Sequence, residues 1–321
     1  MATETGRRIP RVFDKYMLPK VAFVMVTGSS LAGALLTGYR HGWYDWHLLL
    51  MRWGTYYTLA LLLGTEIWKL FYLRPSVALR PFPEAVRYGD AMLRLHQRWQ
   101  RVLVPAALAL GAAHMAAYAG RGPTANPWVL AAGLCLTLGL TAIAVGRRGA
   151  ADSRGQDLAS WLALAGLAGA TASLAGLDVA LQPAVRGDLW LLVPNRVLHV
   201  WAFAAWAGGA LWNIFIAVPA GRERENMDTV ILANFQLERF RVVVRLVFPT
   251  IVLTGLVQAW AIFGWQWAAL LTNLWGWLIL AKLGLILALV AVFITCPMWG
   301  ACSPIRGVCN LDDLYAKEDE A

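Results

Sequence analysis

The sequence is poor in charge: aspartate, glutamate, lysine and arginine make up 15% of its 321 residues, whereas hydrophobic residues make up 59%. A soluble domain carries about 25% charged residues, so this composition predicts an integral membrane protein. The sequence also has no phosphate-binding glycine loop, no nucleophilic triad and no carboxylate pair at hydrolase spacing. We therefore expect a transporter-like protein rather than an enzyme, without ATP-driven transport by this chain alone.

Apolar runs of about 20 residues, the length that crosses a bilayer as a helix, occur throughout the chain. They predict an all-α membrane protein with eight transmembrane helices in two sets of four. The predicted spans are residues 21–39, 48–73, 102–119, 127–146, 158–181, 196–219, 242–264 and 274–296.

Residues 52–111 are related to residues 196–255 at a constant offset of 144, which predicts an internal duplication. Because four spans return the chain to the side on which it started, the two halves should be parallel repeats related by an axis along the membrane normal. The offset pairs Arg52 with Arg196, Gly64 with Gly208, Trp68 with Trp212, Pro75 with Pro219, Arg101 with Arg245 and Pro105 with Pro249.

Lysine and arginine are concentrated before the first span and in the second, fourth and sixth connections. By the positive-inside rule both termini are cytoplasmic, and anionic lipid accounts for the net charge of +9 without any nucleic acid partner. The predicted units are a basic N-terminus (1–20), a first four-helix repeat (21–146), a cytoplasmic linker (147–157), a second four-helix repeat (158–296) and an acidic, cysteine-containing cytoplasmic tail (297–321).

Four of the five histidines are predicted to lie toward the outer side. His41 and His47 flank the first outer loop, whereas His114 and His199 lie near the outer ends of the third and sixth spans. Imidazole binds copper, zinc and haem iron, so His114 and His199 at similar depth form a candidate ligand pair. The alternative is that interfacial histidines are simply hydrated, and we favour it for His41 and His47.

His199 is followed seven residues later by Trp206, on the same helical face, and then by Gly208 and Gly209. The two glycines permit close helix approach. An aromatic stripe packed against small residues would explain the tryptophan but not the histidine.

Ionisable residues within the predicted spans are further candidates, because charge inside a bilayer is costly and often functional. Lys282 is deep in the last span and Glu66 lies in the second, nearer the cytoplasmic side; snorkelling to the interface is the alternative for both. Arg101 and Arg245 each precede a span proline by four residues, and we interpret them as lipid or loop anchors.

Cys296, Cys302 and Cys309 follow the last span. In the reducing cytoplasm disulfides are not expected, and thiolates suit Cu(I). Their spacing matches no tight zinc or redox motif, so they are either a receiving site for metal or incidental cysteines near a membrane end.

The His199, Trp206 and Gly208–Gly209 pattern is followed by Glu238-Arg239-Phe240, Thr254-Gly255-Leu256 and Leu280-Ala281-Lys282-Leu283. Over residues 196–293 the sequence resembles the copper-resistance D (CopD) family. The resemblance implies an eight-span protein of the bacterial inner membrane that moves copper, often with a periplasmic copper-binding partner of the CopC type. It implies copper as the ion handled and the outer histidines as its acceptors.

The same motifs, with Gly276-Trp277-Leu278 before Lys282-Leu283, also resemble HemJ-type haem-binding membrane proteins, which have about half this number of spans. That resemblance implies haem b and an oxidoreductase or electron-transfer role. The first half departs from both patterns, because Thr55 and Leu62 occupy the positions equivalent to His199 and Trp206. A third interpretation is a structural subunit of a larger membrane complex with incidental histidines.

Overall fold

A computed structural model describes residues 17–40, 45–76, 83–119, 125–147, 153–181, 189–222, 227–264, 268–272 and 274–295. Within these ranges the chain is helical almost throughout and contains no strand. The helices are α1 (Met17–Arg40), α2 (Trp46–Ser76), α3 (Pro83–Tyr118), α4 (Asn126–Arg147), α5 (Ser153–Ala180), α6 (Leu189–Trp212), α7 (Val218–Arg222), α8 (Met227–Phe263), α9 (Ala269–Thr272) and α10 (Leu274–Thr295).

The protein is a helical, multi-pass membrane protein, as its composition predicts. Five segments are long and apolar enough to cross a membrane, and two shorter apolar helices accompany them. Large hydrophobic side chains are exposed on the outer faces of the helices, including those of Leu134, Leu246 and Leu287, while arginine, glutamate and aspartate side chains are buried inside. This distribution is the inverse of that in a soluble protein. The five segments are Pro83–Tyr118, Asn126–Arg147, Asp157–Ala180, Trp190–Gly221 and Asp228–Ala261.

The predicted apolar runs lie almost entirely within helical segments, but the run 102–119 is only the second half of α3, and α8 likewise begins well before its apolar run at residue 242. The first part of α3 is amphipathic: Tyr88, Met92 and His96, spaced four residues apart, are buried on one face, while its charged residues occupy the other. Helical periodicity of the buried side chains therefore extends the helix beyond the hydrophobic run.

The centre of the bundle is the crossing of α2 and α6. Gly64 and Gly208 face each other there, and a Cβ atom built on Gly64 would lie 2.7 Å from the Cα of Gly208. Only glycine at both positions permits this approach. The two glycines are a pair that the offset of 144 residues relates.

Other helices pack around this crossing. α2 also contacts α3 and α5, α6 contacts α5 and α8, α4 packs along α5, and α1 packs along α10. The two helices at the crossing therefore lie inside a layer formed by their neighbours.

Between α6 and α7 the helix widens into a π-helical turn, Asn213–Ala217. The N–H of Val218 donates to the carbonyl of Asn213, five residues earlier, and the next residue, Pro219, has no N–H to donate. The Asn213 side-chain amide donates to the carbonyl of Gly209 at 2.8 Å. Turns of this kind are frequent at functional sites.

Candidate functional sites

A buried ionic cluster is centred on Asp178, at the end of α5. Arg52 of α2 donates to both carboxylate oxygens, from Nε to Oδ1 at 3.0 Å and from Nη2 to Oδ2 at 2.5 Å. The Tyr56 hydroxyl donates to Oδ2 at 2.9 Å. Arg196 of α6 adds a longer contact of 3.3 Å. Asp178 and Arg52 are each only 2% exposed, so this carboxylate joins three helices by ionic contacts shielded from solvent.

Arg196 also contacts a glutamine of α8. Its Nη1 donates to Oε1 of Gln258 in α8 at 2.5 Å. Position 258 is related by the offset to His114, which lies within electrostatic range of Arg52 and Asp178. The two arginines that the offset pairs thus share one carboxylate but differ in their neighbours.

His199 lies half-buried on α6, against α8. Its Nδ1 is 2.8 Å from the hydroxyl of Thr254, and the ring also interacts with the backbone of Ile251, one turn earlier on α8. A Cβ atom built on Gly255 would still be 3.6 Å from the ring Cε1, so glycine leaves the edge of the imidazole uncrowded. Arg196 and Lys282 are close enough to act on the ring electrostatically.

His114 lies on α3 and is completely buried. Its ring packs on Tyr56 of α2, with centroids 6.1 Å apart, and on Tyr118, at 5.0 Å. Neither ring nitrogen has a hydrogen-bond partner among the described residues. His114 and His199, expected as a ligand pair, therefore belong to two different helix interfaces, α2–α3 and α6–α8.

The residues that follow His199 pack the bundle. Trp206 is buried and meets Phe248 of α8 edge to face, with centroids 5.8 Å apart. Gly209 lies against Trp68, whose indole N–H donates to the carbonyl of Ala205 at 2.7 Å. With Gly208 at the α2–α6 crossing, this stretch performs the close helix packing that its sequence predicts.

A second polar cluster, centred on Glu66, lies between α2 and α3. Oε1 of Glu66 is 3.1 Å from Nε2 of His96 and 2.6 Å from the amide nitrogen of Gln100. Oε2 of Glu66 is 3.3 Å from Nζ of Lys69, which also donates to the Ser160 hydroxyl of α5 at 2.9 Å. Glu66, His96 and Gln100 are nearly inaccessible to solvent. The Glu66 carboxylate therefore does not snorkel to the interface.

The remaining predicted residues have separate environments. Lys282 is half-buried, and its Nζ is the nearest atom to a Cβ atom built on Gly33 of α1. Arg101 and Arg245 are exposed on α3 and α8, as anchoring residues would be. Glu66 contacts Lys69, His96 and Gln100, so its observed partners come from α2 and α3.

His47 is exposed at the start of α2. His41, Cys296, Cys302 and Cys309 lie outside the described residues. Within the described ranges, no group of three or more histidine, cysteine, aspartate or glutamate side chains is arranged to hold a metal ion.

Asp178 and His96 were not among the site residues predicted from the sequence. A usable signal existed for Asp178, because it is an acidic residue within the predicted span 158–181. His96 lies before the predicted start of the third span at residue 102, so apolar length alone assigned it to a loop. Its spacing of four residues from Met92 and Gln100, on the buried face of α3, was the available signal.

No protein-family model matches the chain, and no curated protein and no solved structure matches it either.

Proposed function

We propose that this protein is built from two parallel four-helix repeats, α1–α4 and α5–α10, that span a bacterial inner membrane eight times. Gly64 and Gly208 support the proposal because they touch each other. A two-fold axis between equivalent halves places equivalent positions in contact where it passes through an interface. An axis along the α2–α6 crossing would do so here.

Equivalent side-chain contacts support the same arrangement. The Thr55 hydroxyl donates to the carbonyl of Leu110 at 3.1 Å, across α2 and α3. The offset relates these positions to His199 and Thr254, which contact each other across α6 and α8 at 2.8 Å. The two interfaces thus use the same positions with different chemistry.

Within this framework we propose that the protein handles copper, accepting it at the outer side through His199. The observation that carries the proposal is the contact of Nδ1 with the Thr254 hydroxyl. A hydrogen bond to one ring nitrogen fixes the orientation of an imidazole and directs the other nitrogen toward a metal. In His199 that nitrogen is Nε2, beside the uncrowded edge at Gly255.

The surrounding charge favours Cu(I) over Cu(II) at this position. Arg196 and Lys282 both act electrostatically on His199, and their repulsion of an ion grows with the charge of that ion. A monovalent ion and a neutral imidazole therefore suit the site better than a divalent ion. A periplasmic copper-binding protein would serve as the donor, and the cysteines after α10 are the proposed receiving site inside.

The first test is the visible spectrum of the purified protein, oxidised and dithionite-reduced, from cells supplied with copper and a haem precursor. A featureless spectrum together with Cu(I) binding that His199→Ala abolishes would support copper handling. Full Cu(I) binding by a folded His199→Ala variant would contradict the role of His199.

Haem b binding is the second candidate, and His114 favours it. Its buried imidazole has two ring nitrogens without hydrogen-bond partners in the described part of the chain, and an axial haem ligand needs one such nitrogen to bind iron. A Soret band that disappears in His114→Ala but persists in His199→Ala would favour haem at the α2–α3 interface and replace the copper proposal.

A further inference from the structure

The cluster around Glu66 has more atom pairs within hydrogen-bonding distance than any single arrangement of its hydrogen atoms can satisfy. Glu66 Oε1 lies 3.1 Å from His96 Nε2 and 2.6 Å from Gln100 Nε2. The two nitrogen atoms are 2.9 Å apart, so all three pairs are within hydrogen-bonding distance. The amide of Gln100 can donate one hydrogen to Glu66 and the other to His96, provided that Nε2 of His96 has a lone pair. The contact between Glu66 and His96 then has no hydrogen of its own.

Placing the hydrogen on His96 satisfies the other pair instead. With Nε2–H directed at Glu66, the ring can no longer accept from Gln100, and Nδ1 is left as a buried acceptor with no partner among the described residues. The oxygen Oε1 of Gln100 is likewise buried and unpartnered there. The geometry therefore has two competing hydrogen-bond arrangements, which differ in where one proton resides.

The Gln100 amide can hydrogen-bond to the cluster in either protonation state. Its NH2 group suits an ionised Glu66, whereas its carbonyl oxygen, after rotation of the amide, would accept from a protonated Glu66 or from the imidazole N–H. Both orientations of the amide group are thus compatible with the cluster. Each corresponds to a different protonation of the Glu66–His96 pair.

Glu66 also connects this buried pair with a more exposed residue. Its second oxygen faces Lys69, whose side chain is 22% exposed, compared with 1% for Glu66. Lys69 also donates to the Ser160 hydroxyl of α5 at 2.9 Å. The Glu66 carboxyl group therefore links the partly exposed ammonium group to the buried imidazole.

The neutral indole of Trp212 on α6 packs against His96, with ring centroids 5.4 Å apart. Lys69 on α2 faces Glu66 from its own helix, and Ser160 of α5 accepts a hydrogen bond from Lys69. The ionisable groups in direct contact within this cluster are Glu66, Lys69 and His96.

We propose that Glu66, His96 and Gln100 bind one exchangeable proton, taken up through Lys69, and that its binding is coupled to the movement of copper. Buried carboxylate and histidine chains serve as proton relays in membrane transporters. The coupling, but not the proton site itself, rests on the proposed copper function.

The proton site is tested by infrared spectroscopy of the full-length protein in detergent as the pH is lowered. The wild type should develop a carbonyl band from a protonated carboxyl group that is absent in Glu66→Gln and displaced in His96→Gln. Glu84→Gln is the matched control, since Glu84 forms a partly exposed pair with Arg87 at the start of α3, and it should retain the band. A band that persists unchanged in both cluster variants overturns the proposal.

Coupling is tested in proteoliposomes containing an internal pH dye, with Cu(I) supplied outside. Copper uptake by the wild type and by Glu84→Gln should be accompanied by proton movement. Glu66→Gln should exchange copper at equal concentrations on both sides but move at least ten-fold fewer protons per copper ion. If Glu66→Gln does not fold, His96→Gln takes its place.

The outcomes separate the two proposals. Copper uptake without proton movement, or proton movement preserved in the cluster variants, rejects coupling and leaves copper transport standing. Absence of copper uptake by folded wild-type protein rejects the transport function and with it the coupling, and the infrared titration then decides the proton site independently.

Discussion

The α2–α3 and α6–α8 interfaces occupy positions that the sequence offset relates, yet their polar contacts differ. On α2, Arg52 is buried and binds Asp178 of α5 through two hydrogen bonds, and the Thr55 hydroxyl donates to backbone carbonyls of α2 and α3. On α6, Arg196 divides its contacts between Asp178 of α5 and Gln258 of α8. His199, at the position equivalent to Thr55, is half-buried and contacts a hydroxyl.

Helix positions that the offset relates can therefore hold either a packing contact, as at Thr55, or a side chain that could bind a metal, as at His199. A threonine hydroxyl is satisfied by carbonyls of its own helix and the next one, so it completes the packing. An imidazole has two nitrogens, and one of them remains available after the other is bonded. Four predictions test this difference, beginning with Asp178, whose carboxylate contacts both Arg52 and Arg196.

Asp178→Asn should have the largest effect on stability. It leaves two guanidinium groups in the bundle without their counter-charge, which should cost about 3–5 kcal/mol of unfolding free energy. Glu84→Gln, which breaks a partly exposed pair, should cost at most about 1 kcal/mol. Unfolding by SDS, followed by circular dichroism, measures both; equal losses would show that Asp178 is not the centre of a buried ionic cluster.

Gly64→Ala should be the next most disruptive change. Its added methyl group would meet the backbone of α6, which can give way only by moving the helix, and overpacking of this kind costs about 1–3 kcal/mol. Gly28→Ala in α1 has nothing within 4 Å of the added carbon and should be neutral or stabilise the protein by up to about 1 kcal/mol. The same SDS unfolding assay applies, and a neutral Gly64→Ala would refute the close crossing.

Arg52→Lys and Arg196→Lys test directly whether the paired arginines differ. Lysine cannot reproduce the two parallel hydrogen bonds of Arg52 to Asp178, and their loss should cost about 1.5–3 kcal/mol. Arg196 makes one longer contact to Asp178, so Arg196→Lys should cost about 1 kcal/mol or less. Reversal of this order in unfolding experiments would mean that Arg196 makes the stronger ionic contact.

Thr254→Val should leave the fold intact and weaken Cu(I) binding about ten-fold, because the loss of a group that orients a ligand costs 10-fold or more in metal affinity. Thr250→Val is the matched control: both hydroxyls donate to the carbonyl four residues earlier, but only Thr254 also contacts His199. Competition with a Cu(I) chelator gives the affinities. Equal affinities of the two variants would separate His199 from copper binding.

The sequence predicted the helical membrane fold well, because apolar length and helical periodicity are local properties. Its errors came at the N-terminal part of α3, where the helix continues through an amphipathic stretch that apolar length does not detect. For the same reason His96 was assigned to a loop, although it lies beside Glu66 inside the bundle. The residues that follow His199 in sequence marked it as a candidate ligand, whereas its contact with Thr254 could not be predicted from the sequence.

By itself the sequence indicated a helical chain in a bilayer, because 59% of its residues are hydrophobic, 15% are charged, and its apolar runs of about 20 residues match the length of a membrane-spanning helix. It indicated Glu66 as an ionisable residue inside the bundle, but Asp178 and His96 were not predicted. Only the tertiary structure decided which ionisable residues meet: Asp178 with Arg52, and Glu66 with His96. These pairs are 126 and 30 residues apart in sequence, and they form because burial of an ionisable group requires a partner, which helix packing, rather than local sequence, supplies.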